Sequence, residues 1–196
     1  MRAHVWIAGL ALVASACKLD SRNDSFGDKN PRRFHIGRAA TPAEIAAVDI
    51  DVSPNGEGLP PGSGTPEQGA AVYAAACASC HGANGEGKAP YPQLIGGPRG
   101  TFDFASNPKI PRTIGNYWPY ATSLFDYIRR AMPLTAPGSL TADQTYAVSA
   151  YLLNREGLLP VQATLDAKSL VAIQMPALSH FVTDDRRGSP GGKHVR

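Results

Sequence analysis

Apolar residues recur at helical spacing in two stretches of this 196-residue chain. Leu124, Phe125 and Ile128 share one face and predict a helix over 122–131, with the Arg129-Arg130 pair suiting the negative pole at its end. Ala147, Val148, Tyr151 and Leu152 predict another over 142–155, stopped by Gly157. Three places carry a Thr with Glu or Gln three residues on, so that the hydroxyl accepts from a free amide while the longer side chain reaches back. They are Thr41 to Glu44, Thr65 to Gln68 and Thr141 to Gln144. The first two add Pro at the first helical position, where a missing N–H costs nothing. Thr41 opens only a short segment ending near Val48. Thr65 opens a helix over 66–80 that contains Val72, Tyr73 and six alanines.

The rest of the chain shows no sustained period. Residues 49–64 are rich in Pro, Gly and acids and read as an extended arm. Residues 82–121 are Gly- and Pro-rich, and so long an irregular stretch inside one domain needs an organiser such as a large buried cofactor. Past Gly157 comes a tail with no clear helix, whose last dozen residues read as disordered. Gly and Pro together make 37 of 196 residues, an excess that fits long loops and arms. Acids and bases nearly cancel at a formal +3, which leaves no nucleic-acid footprint. Residues 65–157 hold seven Lys and Arg against six Asp and Glu, so docking by apolar contact around a cofactor edge is expected over long-range steering.

The amino terminus has a different pattern. Met1-Arg2 is followed by Val5 to Ala16 without a charge, and Ala14-Ser15-Ala16 supplies small residues before Cys17. This is the layout of an export signal over residues 1–16, too short to span a bilayer, and it places the mature chain in the periplasm. Ala-Ser-Ala-Cys also resembles the bacterial lipoprotein signal, in which the cysteine becomes the lipidated first residue. The alternative, ordinary cleavage, leaves Cys17 as an exposed thiol in an oxidising compartment, a liability that favours the lipid anchor as the only membrane attachment.

With Cys17 set apart, the other two cysteines fall in Cys77-Ala78-Ser79-Cys80-His81. This is the attachment spacing of a c-type haem: each thiol can form a thioether with a vinyl group, and His81 is then held beneath the iron. A thioredoxin-like redox pair expects a βαβ setting that is missing here, and a structural zinc site needs further ligands close by. For the second axial ligand, Met132 lies on a loop between the two predicted helices after the motif. Met175, His35, His180 or an open site remain alternatives. His/Met ligation saturates the iron and makes an electron carrier. A carbonyl near Pro92-Gln93-Leu94 is placed to accept from the free ring nitrogen of His81. Tyr117 and Trp118 are candidates to reach the haem propionates. Gly69 and Tyr73 on the first long helix and Tyr151 on the last mark a possible close crossing.

On these motifs, residues 65–157 resemble a class I monohaem cytochrome c. The resemblance implies an all-α fold of three to five short helices around one covalently bound haem c, with an initial helix running into the motif, a Pro-Leu loop (Pro92, Leu94) and a distal Met-Pro (Met132). A final helix then crosses the first. Residues 17–64 would form an extended arm and 158–196 a tail. The stretch Ile114-Gly115-Asn116-Tyr117-Trp118-Pro119-Tyr120-Ala121-Thr122, continuing to Pro133, looks like the cytochrome subunit of bacterial sulfite dehydrogenases and of the related sulfane dehydrogenase of the Sox pathway. The segment from Gly37 to Gly64 and Asp166-Ala167-Lys168 look similar too, so the resemblance spans about 36–178. It implies an electron-accepting subunit, without catalysis of its own, beside a molybdenum-cofactor subunit, passing electrons to a soluble cytochrome or the respiratory chain. A general periplasmic shuttle, or a haem-based sensor with an exchangeable sixth ligand, is the alternative.

Overall fold

The computed structural model describes residues 37–98, 100, 102, 104 and 106–182. The segment expected to be an export signal, Cys17, His35 and the last residues of the tail lie outside that range. The chain divides into Met1–Arg38 and Ala39–Arg196, and the second unit holds every element that follows.

All three predicted capping boxes close. Thr41 caps α1 (Pro42–Val48), Thr65 caps α2 (Pro66–Ala76) and Thr141 caps the 14-residue helix Ala142–Arg155, each accepting from the backbone amide three residues on. The run expected as one helix over 66–80 is broken at Cys77, whose φ of −122° leaves helical geometry. The chain then restarts as α3 (Ala78–His81), with the amides of Cys80 and His81 both donating to the Cys77 carbonyl. A short α4 (Ile114–Tyr117) interrupts the irregular stretch, and Ala121–Ala131 forms α5. Five helices, α2 to α5 and the terminal α6 (Ala142–Arg155), therefore make up residues 65–157 among those described.

Helices α2 and α6 cross closely. A Cβ added at Gly69 would fall 1.9 Å from the Ala147 carbonyl oxygen, so only the hydrogen of glycine lets the two backbones approach this far. Tyr73 stacks at a tilt on Tyr151 across the crossing, with ring centroids 5.1 Å apart. Phe125 of α5 meets Tyr146 of α6 at 4.5 Å, and Leu124, Ile128, Val148, Leu152 and Leu153 complete a buried centre.

The arm and the tail are built into this centre, where an extended arm and a helix-free tail were expected. Val52 is buried and its amide donates to Asp126 Oδ1 at 2.9 Å. Arg129 donates to the Ile50 carbonyl at 3.1 Å, and Tyr146 to that of Pro60 at 2.9 Å. Polar side chains on α5 and α6 thus satisfy backbone that has no regular partner of its own. The arm ends in β1 (Ser63–Gly64), which pairs antiparallel with β2 (Leu165–Asp166), matching Ser63 to Asp166 and Gly64 to Leu165. The tail then forms α7 (Ala167–Val171) and a 3₁₀ turn (Pro176–His180). Leu165, Leu170, Met175 and Ala177 are all buried in the common core. Helix α7 escapes a sequence reading because it is one turn long and its cap pairs Asp166 with Ser169, with no Glu or Gln at the third position.

Candidate functional site

The loop after α3 folds back on the helix that precedes it. The Gly85 carbonyl accepts from the amides of both Leu94 and Ile95, at 2.8 and 3.1 Å, and Gly85 sits at φ +78°, where a side chain would be strained. The Gly87 amide donates to the His81 carbonyl at 2.8 Å. This return carries the Pro92 carbonyl oxygen to 2.9 Å from His81 Nδ1. With Nδ1–H donating there, Nε2 is the ring nitrogen left to face a metal. Tyr91 meets the same ring edge-on at 6.3 Å.

His81 faces a cavity of about 460 Å³. Cys77, Cys80 and His81 form one side of its lining, with Pro92 and Leu94 from the return loop. The apolar side chains Leu124, Ile128, Val148 and Leu152 line it from α5 and α6, and Met132 enters from the loop after α5. Met132 is where that helix stops. Its φ of −122° and ψ of 146° are extended, as expected of a residue preceding proline. Before any thioether forms, burial pushes the Cys77 thiol up to about 11, which keeps it protonated at neutral pH.

These residues fit a haem c. A mostly apolar cavity of this size brings together two thiols at the attachment spacing, an imidazole with its tautomer set by a carbonyl, and a thioether sulfur. Among the described residues no group of three or more His, Cys, Asp or Glu side chains gathers as a metal cage, and the strands are two-residue pieces, so neither zinc nor a βαβ redox motif has structural support.

The other sequence candidates separate. Trp118 lines the cavity, half-buried, and meets Tyr127 edge-on at 5.6 Å. Tyr117 is not among the residues that line the cavity. Its ring lies against Phe104 at 5.2 Å and beneath the guanidinium of Arg112 at 5.3 Å. Met175 is 4% exposed and packs in the core away from the cavity, and His180 stacks on Phe102 at 3.8 Å. Arg112 also lines the cavity, yet nothing in its sequence context sets it apart from the other cations.

The family model for cytochrome c matches residues 66–156, the segment that carries the cavity's thiols, imidazole and thioether. A solved structure extends the likeness beyond that segment. A chain of the sulfane dehydrogenase SoxCD from Paracoccus pantotrophus is 40% identical, with a TM-score of 0.68, over 79% of this chain and 74% of that one. No curated protein matches. The chain belongs to the class I cytochrome c family and resembles a Sox subunit. Membership brings covalently bound haem c and electron transfer, with Cys77 and Cys80 standing in the Cys-X-X-Cys-His motif.

Proposed function

We propose that this cytochrome is the electron-accepting subunit of a sulfane or sulfite dehydrogenase, exported to the periplasm and anchored there through lipidated Cys17. In this reading Cys77 and Cys80 carry the haem by thioether bonds, and His81 and Met132 are its axial ligands. Haem c supplies a one-electron ferric/ferrous couple when bound. The chain's own residues do the rest. Pro92 holds the His81 ring through Nδ1, Pro133 keeps Met132 extended, and the apolar walls from α5 and α6 keep water from the centre. A thioether and a low dielectric both favour the reduced state, which suits an acceptor of electrons from a sulfur-oxidising partner. The partner itself would hold a molybdenum cofactor and do the sulfur chemistry, with a soluble cytochrome or the respiratory chain downstream.

One observation carries this reading. A single cavity gathers Cys77, Cys80 and His81 with Met132, in a chain 40% identical to one from sulfane dehydrogenase SoxCD. Met132→Ala should abolish the thioether-to-iron charge-transfer band of the ferric protein, while Met175→Ala should leave it intact; the opposite result overturns the ligand assignment. Purification from the native host should recover a molybdenum protein with the cytochrome, and its absence under mild conditions counts against the complex. Mass spectrometry of the mature protein should find a diacylglyceryl group on Cys17.

A further inference from the structure

Among the described residues, Arg112 is the one charged side chain that lines the cavity. Its guanidinium carbon lies 5.3 Å from the ring centroid of Tyr117 and 5.7 Å from that of Phe104, and the two rings meet edge to face at 5.2 Å. A guanidinium set against two aromatic rings is held by their π electrons, and it surrenders less hydration there than an ammonium would. Tyr117 in turn meets Phe181 of the tail at 6.3 Å. Phe181 follows the 3₁₀ turn that packs on α4, and His180 of that turn stacks on Phe102 at 3.8 Å. The Tyr117–Phe181 contact thus ties the tail to the charged edge of the cavity, and Phe181 lies beyond the residues that the cytochrome c model matches.

We propose that Phe104 and Tyr117, buttressed by Phe181, clamp Arg112 as a fixed positive charge at the cavity edge, so that the seating of the tail tunes the potential at which the centre accepts and releases its electron. The inference rests on the electron-transferring reading of the cavity. Oxidation leaves one more positive charge in the cavity, and a cation held at its edge opposes that change and favours the reduced form. Arg112 is exposed, so a swinging side chain would be screened by water and salt; the clamp keeps the charge close. Tyr117 therefore acts as a positioning residue through Arg112, with no contact to the cavity of its own.

The test uses full-length holoprotein, its haem verified by absorbance, equilibrated with a redox dye at one fixed potential. Arg112→Gln is expected to lower the ratio of reduced to oxidised protein about tenfold, which is about 59 mV for one electron. Arg112→Lys, which keeps the charge but stacks less well, should fall between that variant and wild type. Tyr117→Leu and Phe181→Ala should each shift the ratio in the same direction by about threefold, since the charge stays but is freed to be screened. In the Arg112→Gln background Phe181→Ala should add nothing, because the charge it positions is gone. An unchanged ratio in Arg112→Gln, no effect of Phe181→Ala, or an equal effect of Phe181→Ala with and without Arg112 overturns the clamp. A correctly folded wild-type protein that takes up no haem would overturn the cytochrome reading instead, so the two failures are distinguishable.

Discussion

Tyr73 joins the first helix to the loop that shapes the site. It is 1% exposed, and its hydroxyl donates to the Gly82 carbonyl at 2.8 Å, just past His81. Burial above all, with nearby acidic groups adding, pushes this hydroxyl from 10.0 up to about 12. On raising the pH the unfolded chain therefore loses its proton first, and the stability held below pH 10 drains away between about 10 and 12. Alkaline unfolding should be steep in that window and flatter in Tyr73→Phe; superimposable curves for the two proteins would refute the assignment. At neutral pH Tyr73→Phe should cost about 1–3 kcal/mol in denaturant titration, because the Gly82 carbonyl loses its donor. At this scale the legible residues were those defined by local spacing. Cys77, Cys80 and His81 stand within five positions of one another, whereas Arg112 has no local mark and owes its place to rings that other segments bring to it.

Between elements, the α2–α6 crossing decides how the motif is presented. Gly69→Ala gains about 1 kcal/mol of helix propensity in isolation. Here its methyl would collide with the Ala147 carbonyl, and overpacking of a rigid crossing costs typically about 1–3 kcal/mol, with backbone against backbone at the upper end. The collision should win. Gly69→Ala is expected to lower the thermal midpoint, and Gly69→Val to lower it further, as followed by haem absorbance on heating. An unchanged midpoint in Gly69→Ala would mean that the helices separate freely. Among the long elements, α2 was legible from its capping box at Thr65, α5 from its apolar periodicity and α6 from both. The break at Cys77 and the single-turn helices α4 and α7 were not, since too few residues are involved for any period to show.

For the molecule as a whole, the tail is part of the core. Leu170 is 0% exposed, so Leu170→Ala should cost about 2–5 kcal/mol, read as a lower denaturant midpoint. A tail that served only to clasp a partner would leave the isolated cytochrome's midpoint unchanged on that substitution. The arm belongs to the same unit, as Val52 is buried and its amide is taken by Asp126. The sequence by itself determined the cofactor chemistry, the two long helices after the motif and the family, because each is written in neighbouring residues: a five-residue motif, caps three positions apart, a face repeating every turn. Only the tertiary structure decided that Met132 shares the cavity while Met175 is buried elsewhere, that Tyr117 lies outside the cavity against the Arg112 that lines it, and that arm and tail close on α5 and α6. Those outcomes depend on contacts between residues far apart in the chain, such as Tyr146 with Pro60, 86 positions away, which no local pattern encodes.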